Sequence, residues 1–189
     1  MKPPPWKRTG KPGVMDVGIF RIFSHRARSP RTGEERKITV VDSNDWVNVV
    51  AITPDAEVVL VRQFRHGVEA VTLEIPGGLV DAGEDPAAAG VRELLEETGY
   101  AGGEPQLLGR VRPNPSFLTN LCHTFLVEDC IEVAEPSPDP GEDIRVARVP
   151  LAELPGLVAS GEITHSLVVC AFWLLAQKRP DLLTPGPGA

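Results

Sequence analysis

At 189 residues the chain is long enough for one compact domain with a full core, and 42% hydrophobic and 24% charged residues are ordinary for a soluble globular protein. No apolar run approaches the ~18 residues of a membrane span, and the basic start MKPPPWKRTGK has no apolar stretch behind it, so neither a membrane protein nor a secreted one is expected and the location is read as cytoplasmic. The net charge of −7 is uneven: Met1 to Val40 holds ten Lys and Arg against three acids, and the remainder nine against twenty-three, an acidic body that argues against nucleic acid as a partner.

In chain order, VGIFRIF and KITVV read as strands of a loose hairpin around SHRARSPRTGEER. WVNVVAIT and EVVLVRQF form a buried hairpin turned by Pro54 and Asp55, and TLEIP leads into Gly77 and Gly78. A helix is predicted over Pro86 to Thr98, with Asp85 as N-cap, Pro86 at its first position and Gly99 past its end. Strands follow at QLLGRV, LCHTFLV and IRVARV, the last preceded by the proline-rich acidic loop AEPSPDPGED. Helices are predicted from Leu157 to Ser160 and from about His165 to Gln177, the latter capped by Thr164. The ends KPPPW and TPGPGA are expected to fray. Cys122, Cys130 and Cys170 lack metal-site spacing and are read as reduced packing residues. The organisation expected is an N-terminal β-segment over 1–42, a main domain over 43–180 and a flexible tail over 181–189.

The helix after Gly78 poses the functional question. At 100° per residue Ala87, Val91, Leu94, Leu95 and Thr98 form a core face, and Glu93, Glu96 and Glu97 share the opposite arc. Like charges at helical spacing repel, and only Arg92 is placed to relieve them. Hard divalent cations such as Mg²⁺ take carboxylate oxygens, which gives such a cluster a use. Gly90 costs about 1 kcal/mol relative to Ala in a helix and implies the close approach of another backbone.

Gly78, Glu84, Arg92, Glu93, Leu94, Glu96, Glu97, Gly99 and Tyr100 reproduce G-x5-E-x7-R-E-U-x-E-E-x-G-U, and by this signature the chain resembles the Nudix hydrolase superfamily. The resemblance implies an α/β fold, an α/β/α sandwich with a mixed sheet, here with a small N-terminal antiparallel β-segment in addition. It also implies Mg²⁺, with Mn²⁺ as a substitute, and hydrolysis of a nucleoside diphosphate linked to another group. By position, Glu93 and Glu97 correspond to the principal metal ligands, Glu96 to an additional one and the Gly77 carbonyl to a candidate backbone ligand. Arg92 and Glu84 correspond to orienting partners.

Within the superfamily the chain is similar to the ADP-ribose and nucleoside diphosphate sugar pyrophosphatases. RQFR with LEIPGG resembles that group's RQxR and ELPAG pair, which makes Arg65 a phosphate contact and Glu74 an active-site or bracing acid. Pro115 lies fifteen residues past Tyr100, as in ADP-ribose hydrolases, and GEDIRV resembles the loop that supplies the general base, here Glu142 with Asp143 as runner-up. Trp46 is a candidate for stacking on a base. SFLTNLCH after Pro115 departs from the glycine-rich acidic pattern, so GDP-mannose, ADP-glucose or broader nucleotide-sugar specificity stays open. The N-terminal segment implies a homodimer. A non-catalytic sensor would be expected to lose signature glutamates, and an RNA cap hydrolase would need a basic surface.

Overall fold

The computed structural model describes residues 2–183. Its strands and helices group into two compact units, one of residues up to Asn44 together with Arg112–Leu121, the other of Asp45–Val111 and the chain from Cys122 onward.

The first unit is an antiparallel sheet of β1 (Lys7–Asp16), β2 (Arg21–Arg28) and β3 (Glu35–Asp42), with β2 central. VGIFRIF is not one strand as expected: Asp16 Oδ1 accepts from the Gly18 amide at 3.1 Å, Gly18 takes φ +82°, and residues 17–20 turn the chain from β1 into β2. β1 itself forms in KRTGKPGVMD, where Pro12 and two glycines mask any alternation, with a register shift between Thr9 and Gly13. Arg112–Leu121 joins through a parallel bridge from Leu118 to Val41, and Asp42 accepts from Thr119 Oγ1 and Arg21 Nη2, both at 2.6 Å.

The second unit runs β4 (Trp46–Ile52), β5 (Glu57–Arg65), β6 (Ala70–Glu74), β7 (Gly77–Leu79), α1 (Pro86–Thr98), β8 (Tyr100–Ala101), β9 (Gln106–Val111), β10 (Cys122–Val127), β11 (Ile131–Glu132), β12 (Ile144–Pro150), α2 (Leu154–Ala159) and α3 (Ser166–Lys178). The main sheet has the order β12-β5-β4-β10-β9, with β6 on β5 and β7 on β4, and β8 pairs separately with β11. β10 runs parallel to β4 while its other neighbour is antiparallel, so the sheet is mixed.

Alternation along β4 and β5 builds the sandwich. Val49, Ala51 and Val59 pack with Leu94 of α1, whereas Val50, Ile52, Val58 and Leu60 pack with Val168, Ala171 and Leu175 of α3. Both faces of the sheet are therefore covered, and the fold is an α/β/α sandwich with a mixed sheet.

Three helical expectations shift. In α1 the buried residues are Ala89, Gly90, Leu94, Glu97 and Thr98, while Val91 and Leu95 are 37% and 39% exposed, so the inward stripe is rotated and carries Glu97 with it. Gly90 faces side chains rather than a backbone: a Cβ there would lie 3.1 Å from the Cγ2 atoms of both Val47 and Val49. α3 begins at Ser166 with His165, not Thr164, at the N-cap and no side-chain cap bond, and α2 begins at Leu154 with Pro155 in its first turn. Of the expected flexible tail, Asp181–Leu183 lie in a 3-10 turn over Pro180–Leu183, with Arg179 paired to Asp181 and Glu128, and 184–189 fall outside the described residues. Among the described residues no helix is long and apolar enough to cross a membrane.

Candidate active site

β4 and β5 pair only through Ala51 with Val59 and Ile52 with Val58. Beyond those pairs they diverge, and β6 and β7 take up their free edges. The divergence leaves β5 with β6 and β4 with β7 on either side of a split in the sheet. Val59, Val61, Gln63 and Arg65 alternate onto that face along β5, and Thr72 and Glu74 do so opposite them on β6.

The loop from β7 into α1 is organised by Arg92. Its Nε and Nη2 each donate to Glu84 at 3.0 Å, a bidentate pair, while Nη2 also reaches the Leu79 carbonyl at 3.1 Å. Its Nη1 donates to Glu93 at 2.9 Å and Glu96 at 3.0 Å. These bonds raise the guanidinium pKa, Glu84 foremost, and hold the Glu84 carboxyl below its usual range. Arg92 thus offsets the repulsion between Glu93 and Glu96, as their spacing predicts, but does not reach Glu97.

Glu97 is different. It is only 2% exposed, and its Oε2 accepts from the Gly77 amide at 3.0 Å. Burial pushes its pKa up to about 8 against that hydrogen bond, with Glu142 and Glu93 adding repulsion. Burial likewise raises Glu93, opposed by Arg92 and reinforced by Glu96 and Glu142. Gly78 lies against Glu93, since a Cβ on it would fall 2.5 Å from Glu93 Oε1.

On the β5 and β6 side, Arg65 donates through Nε at 3.0 Å and Nη2 at 2.8 Å to Glu74, which also accepts from Thr72 Oγ1 at 2.6 Å. Burial would raise Glu74, but the bonds from Arg65 and Thr72 outweigh it and leave the carboxyl below its ordinary value. Glu74 raises Arg65 in turn, with further contributions from Glu97 and Glu142. Glu142, in the loop before β12, is half-buried and accepts from Gln63 Nε2 at 3.3 Å; Asp143 beside it is exposed.

Sequence reasoning thus named Glu93, Glu97, Glu96, Arg92, Glu84, Gly77, Gly78, Arg65, Glu74 and Glu142, and the structure draws these together. Gly99 closes α1 at φ +74°, its amide bonded to the Leu95 carbonyl at 2.8 Å. Trp46 is not among them: it alternates onto the face of β4 opposite to Val47 and Val49, which face α1. Pro115 falls in the first unit, in the turn where the amides of Phe117 and Leu118 reach the Asn114 carbonyl. Gln63 and Thr72 were missed, although Gln63 stands inside RQFR at the alternate position after Val59 and Val61.

Among the described residues no group of three or more acids, imidazoles or thiols is already gathered to hold a metal ion, and Arg92 occupies oxygens of Glu84, Glu93 and Glu96. The chemistry of the donors nonetheless suits a hard divalent cation: carboxylates only, one of them buried with a single amide bond and strained toward protonation.

An α/β/α sandwich that presents a glycine loop and an acidic helix beside a paired arginine has the donors for a divalent cation and for an anionic group, and comparison with known proteins gives its class. Residues 44–172 match the NUDIX domain, and the chain belongs to the NUDIX family. It is 32% identical over 174 residues to an ADP-ribose pyrophosphatase of Bacillus subtilis, covering 91% of this chain and 93% of that one. It is 31% identical over 171 residues to an ADP-ribose pyrophosphatase of Mycobacterium tuberculosis, covering 89% and 82%. A solved structure described as an ADP compounds hydrolase superposes with a TM-score of 0.76 at 23% identity, over 91% of this chain and 96% of that one, a likeness of fold.

Proposed function

We propose that the protein hydrolyses the pyrophosphate bond of ADP-ribose or a closely related nucleoside diphosphate sugar in a Mg²⁺-dependent reaction, releasing a nucleoside monophosphate and a sugar phosphate. The observation that carries this reading is the convergence of Glu93, Glu97, Arg65 and Glu142 on one face of one sheet, close enough for each to bear on another's charge. The names of the Bacillus subtilis and Mycobacterium tuberculosis relatives support the substrate class.

Glu93 and Glu97, with Glu96 at the rim, would hold the cation. When bound, it supplies Lewis acidity that offsets charge developing on the phosphate oxygens. Arg92 fixes Glu93 and Glu84 so that the carboxylates are oriented in advance. Arg65, gripped by Glu74 through two nitrogens, offers the third to a phosphate oxygen. Glu142 takes the proton of the attacking water as the oxygen–phosphorus bond forms and the bridging bond breaks. A base on a loop suits this role, because it stands apart from the helix carboxylates that would hold the metal.

A second reading, preference for GDP-mannose, is favoured by 36% identity over 120 residues to a GDP-mannose pyrophosphatase of Citrobacter koseri, covering 59% of this chain and 62% of that one. Turnover of ADP-ribose, ADP-glucose, GDP-mannose, NADH, a dinucleoside polyphosphate and a nucleoside triphosphate, with Mg²⁺ and with chelator, separates the readings. Metal-dependent AMP from ADP-ribose is expected; cleavage of the triphosphate alone would overturn the assignment. The protein is further proposed to act as a homodimer through its first unit, where Trp6, Val14, Met15, Val17 and Ile19 are exposed and β1 is an edge strand. A monomer by sedimentation at micromolar concentration would refute that.

A further inference from the structure

Gln63 is a neutral amide where an apolar residue would be expected. It follows Val59 and Val61 on the α1 face of β5, in the middle of the sheet, flanked by Ile144 of β12 and Thr72 of β6. The residue is 6% exposed, and burying a primary amide is costly unless its groups are bonded. Its backbone carbonyl lies 3.3 Å from Thr72 Oγ1, whose proton goes to Glu74 at 2.6 Å. Its side-chain Nε2 donates to Glu142 Oε1 at 3.3 Å, while its Oε1 is buried with no hydrogen-bond partner. A purely structural glutamine would be expected to satisfy both ends. This one uses its donor on a loop carboxylate and leaves its acceptor unpaired.

We propose that Gln63 is a positioning residue that holds the Glu142 carboxylate over the site, a role that rests on the reading of Glu142 as the base. The geometry is suited to it. Ile144 is registered directly opposite Gln63, so the Glu142 loop enters β12 two residues from a fixed pair, and the amide reaches across to tie down the residue that has just left the sheet. A neutral donor orients a carboxylate without adding the positive charge that would lower its basicity. With Oε1 of Glu142 engaged by Gln63, Oε2 is the oxygen free to take the proton of water. Arg62 and Phe64 alternate onto the other face of β5, and Arg65, one pair further along, gives two nitrogens to Glu74 and has no hydrogen bond to Glu142.

The test is a double-mutant cycle of Gln63→Leu and Glu142→Gln in the full chain, assayed on ADP-ribose with saturating Mg²⁺, with Gln63→Met as a second replacement matched in length. Loss of one hydrogen bond to a charged group should lower kcat about 10- to 100-fold, with KM changed less than about two-fold and no fall in melting temperature, because an unpaired buried acceptor is removed as well. In the Glu142→Gln background the same change should have almost no further effect. Two results overturn the proposal with Glu142 still the base: Gln63→Leu and Gln63→Met leaving kcat unchanged, or slowing the Glu142→Gln enzyme as much as the wild type. Near-normal turnover by Glu142→Gln alone overturns the assignment of the base itself, and the inference with it.

Discussion

Glu93 rests its carboxylate against the α-carbon of Gly78, so closely that a methyl group on Gly78 would lie 2.6 Å from Glu93 Cδ and 2.5 Å from its Oε1. The glycine of the signature is required here by contact with the acid fifteen residues later. Gly78→Ala is expected to push Glu93 off its Arg92 partner, because a flexible carboxylate yields more readily than strand β7. Stability should change by less than about 1 kcal/mol, while turnover falls by about 10-fold or more through a misplaced ligand. A Mg²⁺ titration of rate checks this, with half-saturation expected to move to higher concentration.

Arg65 and Glu74 form a pair in which the carboxylate is 4% exposed and the guanidinium 42%. Arg65→Ala leaves a buried carboxylate with Thr72 as its remaining hydroxyl donor, at an expected cost of about 1–3 kcal/mol. Because the folded-state pKa of Glu74 lies below its unfolded value, the stability it contributes is present above the ordinary carboxylate range and is lost as pH falls through the lowered value. Stability at pH 7 minus stability at pH 4, from denaturant melts, should therefore be smaller in Arg65→Ala than in the wild type. With substrate, KM should rise more than kcat falls if Arg65 serves phosphate binding.

Glu97 is the opposite case. The folded chain keeps its proton up to about pH 8, whereas the unfolded chain releases it near 4.5. Between those values the unfolded state binds fewer protons, so this residue makes the metal-free protein less stable as pH rises from about 4.5 to 8. Glu97→Gln, which keeps the acceptor for the Gly77 amide, is expected to raise the melting temperature in chelator at pH 8 by several degrees and to leave it unchanged at pH 4. The same variant should have lost activity by at least about 100-fold. A variant that is more stable and inactive is the signature of a carboxylate held at the expense of the fold.

What was legible in the sequence was the machinery with local spacing. Asp85, Pro86 and Gly99 bound α1 where their chemistry requires, with Asp85 accepting from the Ala87 amide at 2.9 Å, and Arg92 reaches all three carboxylates its spacing allows. The rotation of α1 was not legible, because Gly90 lets Val47 and Val49 approach and turns Glu97 inward while Val91 and Leu95 turn out. That is a tertiary contact between elements forty residues apart. Strand β1 was hidden by Pro12, Gly10 and Gly13, which carry no alternation, and the part played by Gln63 depends on the registry of β12, which no local pattern encodes.

The raised pKa of Glu97 also sets how the cation should bind. A carboxylate coordinates only after losing its proton, and below about pH 8 the Glu97 proton is still held, so if Glu97 is a ligand, as proposed, uptake of Mg²⁺ would release it. Affinity should therefore increase with pH, by up to about tenfold per unit below pH 8, and level off above it. Glu84 and Arg92 do not oppose this trend, because Arg92 holds the Glu84 carboxyl below its usual range, so it is ionised throughout. Calorimetric titration of Mg²⁺ at pH 6.5 in two buffers of different ionisation enthalpy should report about one proton released per ion bound, and close to none at pH 9. Glu97→Gln should abolish that proton release, whereas Glu96→Gln, whose carboxylate is 42% exposed on the rim, should leave it intact. Proton release persisting in Glu97→Gln would place the titrating ligand elsewhere in the acidic helix.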